Sequence, residues 1–225
     1  MTTSGTTAFN STVLEIIEDA YELVGGEFIT GYDAKMARRF LNFLLIDLQN
    51  KGHPLGNLEH ITVDNVSGQR DYTLDSDIID VLHVTLKRDG VETEMRRVSL
   101  YEDNAIPYKA QQGRPFQYTI DRQIDAPVMK IWPTAESDSD TFEAWVMRKV
   151  EDVTASRQTV DISVRFQPAL VFGLAYFMSY RRPDMDVQKR QELKVQYEEL
   201  LENALGEDRE RASFFAKPKI NRPLR

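Results

Sequence analysis

The spacing of hydrophobic residues changes twice along this 225-residue chain, so no single type of secondary structure fits the whole of it. Hydrophobic residues recur every three or four positions before about residue 52 and again after about residue 165, which is the period of an amphipathic helix. Between these regions, residues 58–152 contain short β-prone runs broken by turn residues. The pattern predicts an α+β fold with a β-rich module inserted into a four-helix core.

Two helices are predicted before the β-rich region. The first spans residues 12–24, where Thr12 and Glu15 have the spacing of a capping box and Gly25 follows as a terminator. The second spans residues 33–51 and carries its apolar residues on one face. The chain therefore begins with a helix pair after a small, polar N-terminal segment.

The middle of the chain contains seven candidate strands: HITV, DYTL, IIDVLHVTL, VETEMRRV, FQYTI, VMKIW and TFEAWVMRKV. Asp89 and Gly90 separate the third run from the fourth and predict a hairpin, because a type I′ turn needs residues that accept positive φ. Residues 99–104 predict a short helical turn.

The helical period returns at Arg165. Pro168 suits the first turn of a helix that runs to about residue 180. Asp184 or Asp186 can cap a last helix over residues 187–211. The two aspartates also resemble part of a calcium loop, but the glycine and glutamate of such a loop are missing, so a helix cap is favoured.

These elements divide the chain into five parts. We expect a flexible arm (1–10), the first part of the helical core (11–57), the β-rich insertion (58–160), the second part of the helical core (161–212) and an extended basic tail (213–225).

Charge is distributed unevenly between these parts. The formal net charge is −8, yet residues 213–225 contain four basic residues and no Asp or Glu. A nonspecific DNA-binding protein normally carries a basic face, so the acidic body argues against that class. An acidic body with a basic tail indicates two surfaces with different functions.

The tail, SFFAKPKINRPLR, is the candidate functional segment. Its candidate contact residues are aromatic, basic, aliphatic or proline: Phe214, Phe215, Lys217, Pro218, Lys219, Ile220, Arg222, Pro223 and Arg225. Three interpretations are open: a nucleic-acid-binding module that stacks on bases, a solubilising end, or a segment that docks in a groove of an acidic partner. We favour docking, because a solubilising end does not need adjacent phenylalanines and a stacking site usually lies on a basic domain.

Motifs typical of catalysis are missing from the sequence. The chain has no cysteine, and its three histidines, His53, His60 and His83, lack metal-ligand spacing. GxSxG, Walker and GxGxxG patterns do not occur. We expect no catalytic residue, no metal and no cofactor, although a chance carboxylate pair among the 36 acidic residues leaves an enzyme with an acidic cleft as an alternative.

The sequence also predicts no association with a membrane. Its most apolar stretch, residues 168–178, is too short to cross a bilayer and is typical of a buried helix. The first ten residues contain neither a positive charge nor an apolar run, so they do not have the features of a signal peptide.

Several stretches carry a resemblance to a known family: LEIIEDAYELVG, GYDAKMARRFLNFLLIDLQNKG, RDYTLDSDIIDVLHVTLKRDG, GRPFQYTIDR with MKIWPTA, and PALVFGLAYFMSYRRP with QELKVQYEELLENALGEDRERAS. In this order they resemble the adaptor proteins of short-tailed phages, also called head-to-tail connectors, tail accessory factors or tail tubular protein A. The resemblance spans nearly the whole chain. The long β-rich centre is a departure from the most compact relatives.

The resemblance implies a structural role in the virion. It implies a homo-oligomeric ring of about twelve copies, docked on the portal protein through the C-terminal segment, with a further tail protein (nozzle or fibre) below. It also implies that DNA passes through the ring without specific binding and that the protein is made in the host cytoplasm.

Overall fold

The described residues form five α-helices and several β-sheets, which confirms the predicted α+β class. A computed structural model describes residues 5, 9, 11–26, 31–52, 55 and 57–207. The predicted arm (1–10) and tail (213–225) therefore lie outside the described residues, apart from Gly5 and Phe9.

The helices lie on both sides of the strand region in the sequence. They are α1 Val13–Leu23, α2 Gly31–Asn50, α3 Leu100–Asn104, α4 Gln167–Ser179 and α5 Val187–Glu207, with a 3-10 turn at Val164–Phe166. Thr12 caps α1 through the predicted capping box with Glu15. Asp186 caps α5, because its carboxylate accepts a hydrogen bond from the backbone N–H of Gln188 at 3.1 Å. The predicted end of this last helix at residue 211 lies outside the described residues.

Each predicted run contains a strand, one run divides into two strands, and two short strands, at residues 112–113 and 134–135, were not predicted. They are β1 Leu58–Asp64, β2 Asp71–Thr73, β3 Ile78–Arg88, β4 Val91–Glu94, β5 Arg96–Arg97, β6 Gln112–Gly113, β7 Gln117–Asp121, β8 Val128–Trp132, β9 Thr134–Ala135 and β10 Thr141–Arg148. The run VETEMRRV divides at Met95, because β4 pairs with β3 while β5 pairs with β7 in another sheet. Asp89 and Gly90 have φ values of 52° and 76°, so the predicted hairpin is confirmed.

Two four-stranded sheets share one hydrophobic cluster. Their strand orders are β1-β10-β3-β4 and β2-β8-β7-β5, and β6 pairs with β9 separately. The cluster takes Val84 and Phe142 from the first sheet and Tyr118 and Ile131 from the second. Alternating inward-facing residues therefore hold the two sheets against each other.

A second hydrophobic cluster joins the helices at the two ends of the chain. Helix α4 packs against α1, α2 and α5, and its buried residues occur all around its circumference. Gly173 lies where three helices approach, because a Cβ added there would be 2.9 Å from a methyl of Leu44 and 2.9 Å from the ring of Tyr197. No residue belongs to both this cluster and the one between the sheets.

The chain leaves and re-enters the helical part at neighbouring points. The backbone N–H of Arg148 donates to the carbonyl of Asn57 at 2.9 Å. The segment after β10 then returns to α2, where the Asn42 amide accepts from the N–H of Val153 at 2.9 Å and donates to its carbonyl at 3.2 Å. The two ends of the strand region therefore lie next to each other, and the segment after its second end is bonded to α2.

Candidate docking surface

Helix α2 carries two apolar faces, although only one faces the core. Its buried residues are Ala37, Leu41, Leu44, Leu45 and Leu48. The opposite side, here called the α2 stripe, consists of Tyr32, Met36, Arg39, Phe43, Ile46 and Asn50. Phe43 is 50% exposed and Ile46 is 52% exposed. Large apolar side chains on the solvent side of a helix indicate a surface that binds another element.

A groove of about 710 Å³ runs along the α2 stripe. Its basic lining residues are Lys35, Arg38, Arg39 and Arg181, and no described carboxylate lines it. This local positive charge contrasts with the net charge of −8 on the whole chain. The groove therefore combines apolar contact area with cations and favours an acidic, partly apolar partner.

Two of these cations are held by the chain itself. Arg38 donates to the backbone carbonyl of Thr154, and the Arg181 guanidinium contacts the sulfur of Met36. Lys35 and Arg39, by contrast, form no ion pair with any carboxylate in the described part of the chain. Their charges are available to a partner.

Helix α5 presents an exposed row of opposite charge. The row, here called the α5 stripe, consists of Gln188, Glu192, Val195, Glu199 and Glu202. Val195 is 43% exposed and borders a shallow hollow with Gln188 and Glu192. The α5 stripe thus offers an apolar side chain between carboxylates.

The outer face of the first sheet carries an exposed aromatic patch. Trp145 of β10 is 48% exposed and pairs in register with His60 of β1 and His83 of β3. The His60 and Trp145 rings meet edge to face with centroids 5.1 Å apart. A hydrogen bond from the Thr62 hydroxyl, followed by the charges of Lys87 and His60, holds the pKa of Glu143 below its ordinary value. Both His60 and His83 are exposed on this face.

The described carboxyl groups with a shifted pKa all favour the ionised form. Four carboxyl groups have a pKa that departs from its ordinary value, and each is lowered: Glu15, Asp80, Asp121 and Glu143. A general acid of a glycosidase-like pair needs a raised pKa.

No cluster of three potential metal ligands occurs in the described ranges. None of the described helices is long and apolar enough to span a membrane.

The predicted docking residues, Phe214 to Arg225, all lie outside the described residues. The structure instead adds the α2 and α5 stripes, which the sequence prediction missed. In α2 the spacing of Leu41, Leu44 and Leu48 accounts for the buried face. Phe43 and Ile46 do not fit that spacing, and these two apolar residues were the sequence signal for a second face.

Comparison with known proteins identifies a family that matches most of the chain. The family model described as SU10 adaptor protein matches residues 11–222, which include every described helix and strand and most of the basic tail. No curated protein matches the chain.

Proposed function

The chain belongs to the SU10 adaptor protein family of phage head-to-tail adaptors, and from this membership we propose that it forms a ring joining the portal to the tail. The observation that carries the proposal is the family match over residues 11–222. The chain is a virion component in this role, and its contribution is structural. The ring continues the channel through which DNA leaves the head.

The charge of the chain supports a channel that DNA crosses without binding. A net charge of −8 on each copy adds up around a ring. Negative walls repel the phosphate backbone, so DNA slides past and is not retained. A ring of about twelve copies is expected from the resemblance to short-tailed phage adaptors.

We assign portal docking to the basic tail. Residues 213–225 combine Phe214 and Phe215 with four basic residues, whereas the rest of the chain is acidic. Aromatic side chains supply contact area in a groove, and cations supply complementarity to an acidic partner. A segment that orders only when bound can wrap a partner without altering the body that carries it. A further tail protein, nozzle or fibre, is the expected partner on the other side of the ring.

Deletion of residues 213–225 tests this assignment. We expect the shortened chain to keep its helical circular dichroism and its unfolding midpoint, because described residues before residue 208 supply the side chains of both hydrophobic clusters. Mass photometry of the shortened chain mixed with portal protein should show that docking is lost.

Two double variants serve as matched controls for this deletion. Phe214→Ala with Phe215→Ala removes the aromatic contacts alone, and Lys217→Ala with Lys219→Ala removes two charges alone. Docking that is unchanged after the deletion would refute the role of the tail.

The composition of the tail also supports a second candidate function, a nucleic-acid-binding module. Adjacent phenylalanines beside lysines can stack on bases and neutralise phosphates. Affinity for single-stranded DNA that falls steeply with salt, and that disappears with residues 213–225, would favour this function over the adaptor.

A further inference from the structure

The α2 and α5 stripes have the same residue spacing. In α2, positions 36, 39, 43, 46 and 50 are separated by alternating steps of three and four, and in α5 positions 188, 192, 195, 199 and 202 follow the same alternation. This is the spacing of the contact seam between two packed helices. Each stripe therefore has the period required to receive another helix along its length.

The chemistry of the two stripes favours an antiparallel arrangement of the helices. One antiparallel register brings Phe43 opposite Val195 and Arg39 opposite Glu199. A parallel register that places Phe43 opposite Glu199 places Arg39 opposite Val195, so it forms neither an apolar pair nor an ion pair there. The antiparallel register is favoured because it combines an apolar pair and an ion pair in adjacent layers, while Met36 and Ile46 lie opposite Glu202 and Glu192.

The two stripes do not cover each other within one chain. Phe43 is 50% exposed and Val195 is 43% exposed in the same molecule, and both helices use their inner faces against α4. Two α2 stripes packed together would bring Arg39, and Lys35 of the adjoining groove, close to the same cations of the other copy. The basic tail is repelled from the α2 groove for the same reason.

We infer that the α2 stripe of one copy binds the α5 stripe of the next copy, antiparallel, and that this contact closes the ring; the inference rests on the proposed function. The two surfaces differ, so the contact is head-to-tail. Head-to-tail contacts generate rings when the rotation closes. Lys35 and Arg39 find in the next copy the carboxylates that they lack in their own described surroundings.

The length of the stripes makes the contact weak on its own. The paired parts of the stripes, residues 36–50 and 188–202, each cover about two heptads, whereas a stable coiled coil usually needs about three to four. Copies held side by side on the portal have a high effective concentration, which compensates for a weak pairwise contact. A free monomer that assembles on the portal is therefore the expected behaviour.

Disulfide cross-linking on the portal tests the contact directly, because the chain has no cysteine of its own. Phe43→Cys and Val195→Cys are introduced together, the protein is assembled on its portal and oxidised, and the products are separated on a non-reducing gel. We expect a ladder of covalent multimers up to the size of the ring. The matched control, Phe43→Cys with Tyr101→Cys, uses a residue that is 84% exposed on α3 and should give no ladder.

Single and tail variants identify competing arrangements. Phe43→Cys alone should stay monomeric after oxidation, and covalent dimers from it would overturn the inference in favour of an α2–α2 contact. A cross-link between Phe214→Cys and Val195→Cys, without one between Phe43→Cys and Val195→Cys, would overturn it in favour of a tail bound to the α5 stripe.

Reversing the charges of Arg39 and Glu199 tests the contact between copies independently of cross-linking. Arg39→Glu and Glu199→Arg should each lower the yield of rings on the portal about tenfold, and the double variant should restore it. If wild-type rings form but neither the ladder nor the rescue is seen, the helix contact is wrong and the adaptor function stands. If the wild-type chain forms no ring on its portal, the proposed function fails and the contact fails with it.

Discussion

Two buried tyrosines differ in whether their hydroxyl groups have hydrogen-bond partners. Tyr197 of α5 is 4% exposed, its hydroxyl has no partner in the described part of the chain, and burial raises its pKa to about 12. The hydroxyl of Tyr72 accepts from the N–H of Val66 at 3.1 Å and donates to the Asn65 side chain at 2.8 Å. The same chemical group is therefore unsatisfied in the helical cluster and satisfied between the sheets.

We predict opposite effects when phenylalanine replaces these tyrosines. Tyr197→Phe removes a buried unpaired hydroxyl and should leave the free energy of unfolding unchanged or raise it by about 1 kcal/mol. Tyr72→Phe breaks two hydrogen bonds and should lower it by about 1–2 kcal/mol. Urea unfolding of both variants measures the difference. Equal losses in the two variants would show that the Tyr197 hydroxyl has a partner.

At the scale of single elements, the Asp80 carboxylate forms ion pairs that link β3 to β5 and to the end of β7. Its carboxylate, on β3, lies 2.8 Å from the guanidinium of Arg97 on β5 and 2.7 Å from that of Arg122, directly after β7. Burial pushes the Asp80 pKa up, but hydrogen bonds from Arg97 and the backbone, together with both positive charges, outweigh it and hold the pKa below 3.8. Its ionised form is therefore favoured in the folded state.

This lowered pKa sets the sign of a pH effect. The stabilisation by ionised Asp80 is fully present above the pKa of the unfolded state, near 3.8. It is lost as the pH falls through the lower pKa of the folded state. Asp80→Asn should lower the free energy of unfolding by about 1–2 kcal/mol at pH 7 and by much less near pH 2. Denaturant titrations at the two pH values measure this, with the exposed Asp125→Asn as control. A loss that is the same at both pH values would contradict the ion-pair explanation.

The sequence was sufficient for elements that depend on local chemistry. The capping box of Thr12 and the positive φ at Asp89 and Gly90 are encoded within a few residues, and the structure has both. The division at Met95 was not predictable, because it depends on which distant strand each half pairs with. The second face of α2 was missed because an apolar residue such as Phe43 looks the same in sequence whether it faces a core or a partner.

At the scale of the whole molecule, the strand region and the helices have separate cores. The two hydrophobic clusters share no residue, and the bond from the Arg148 N–H to the Asn57 carbonyl closes the strand region at its base. Residues 57 and 148 are thus placed like the two ends of a short hairpin loop. We expect the helices to fold without the strands.

Replacement of residues 58–147 by Asn-Gly tests this expectation. The dipeptide favours the two-residue turn that the pairing of Asn57 with Arg148 requires. The shortened protein should keep the circular dichroism of α1, α2, α4 and α5 and melt in one cooperative transition. Loss of helical signal would show that the sheets are needed to hold the helices together.

The hydrogen bond between Asn57 and Arg148 also has an evolutionary consequence. Because the strand region departs and returns at a single point, insertions and deletions within it need not displace the helical scaffold. Its size can change between viruses while the scaffold keeps its geometry. We expect lineages to differ most in the length of this branch, and least in the spacing of the residues that line α2 and α5.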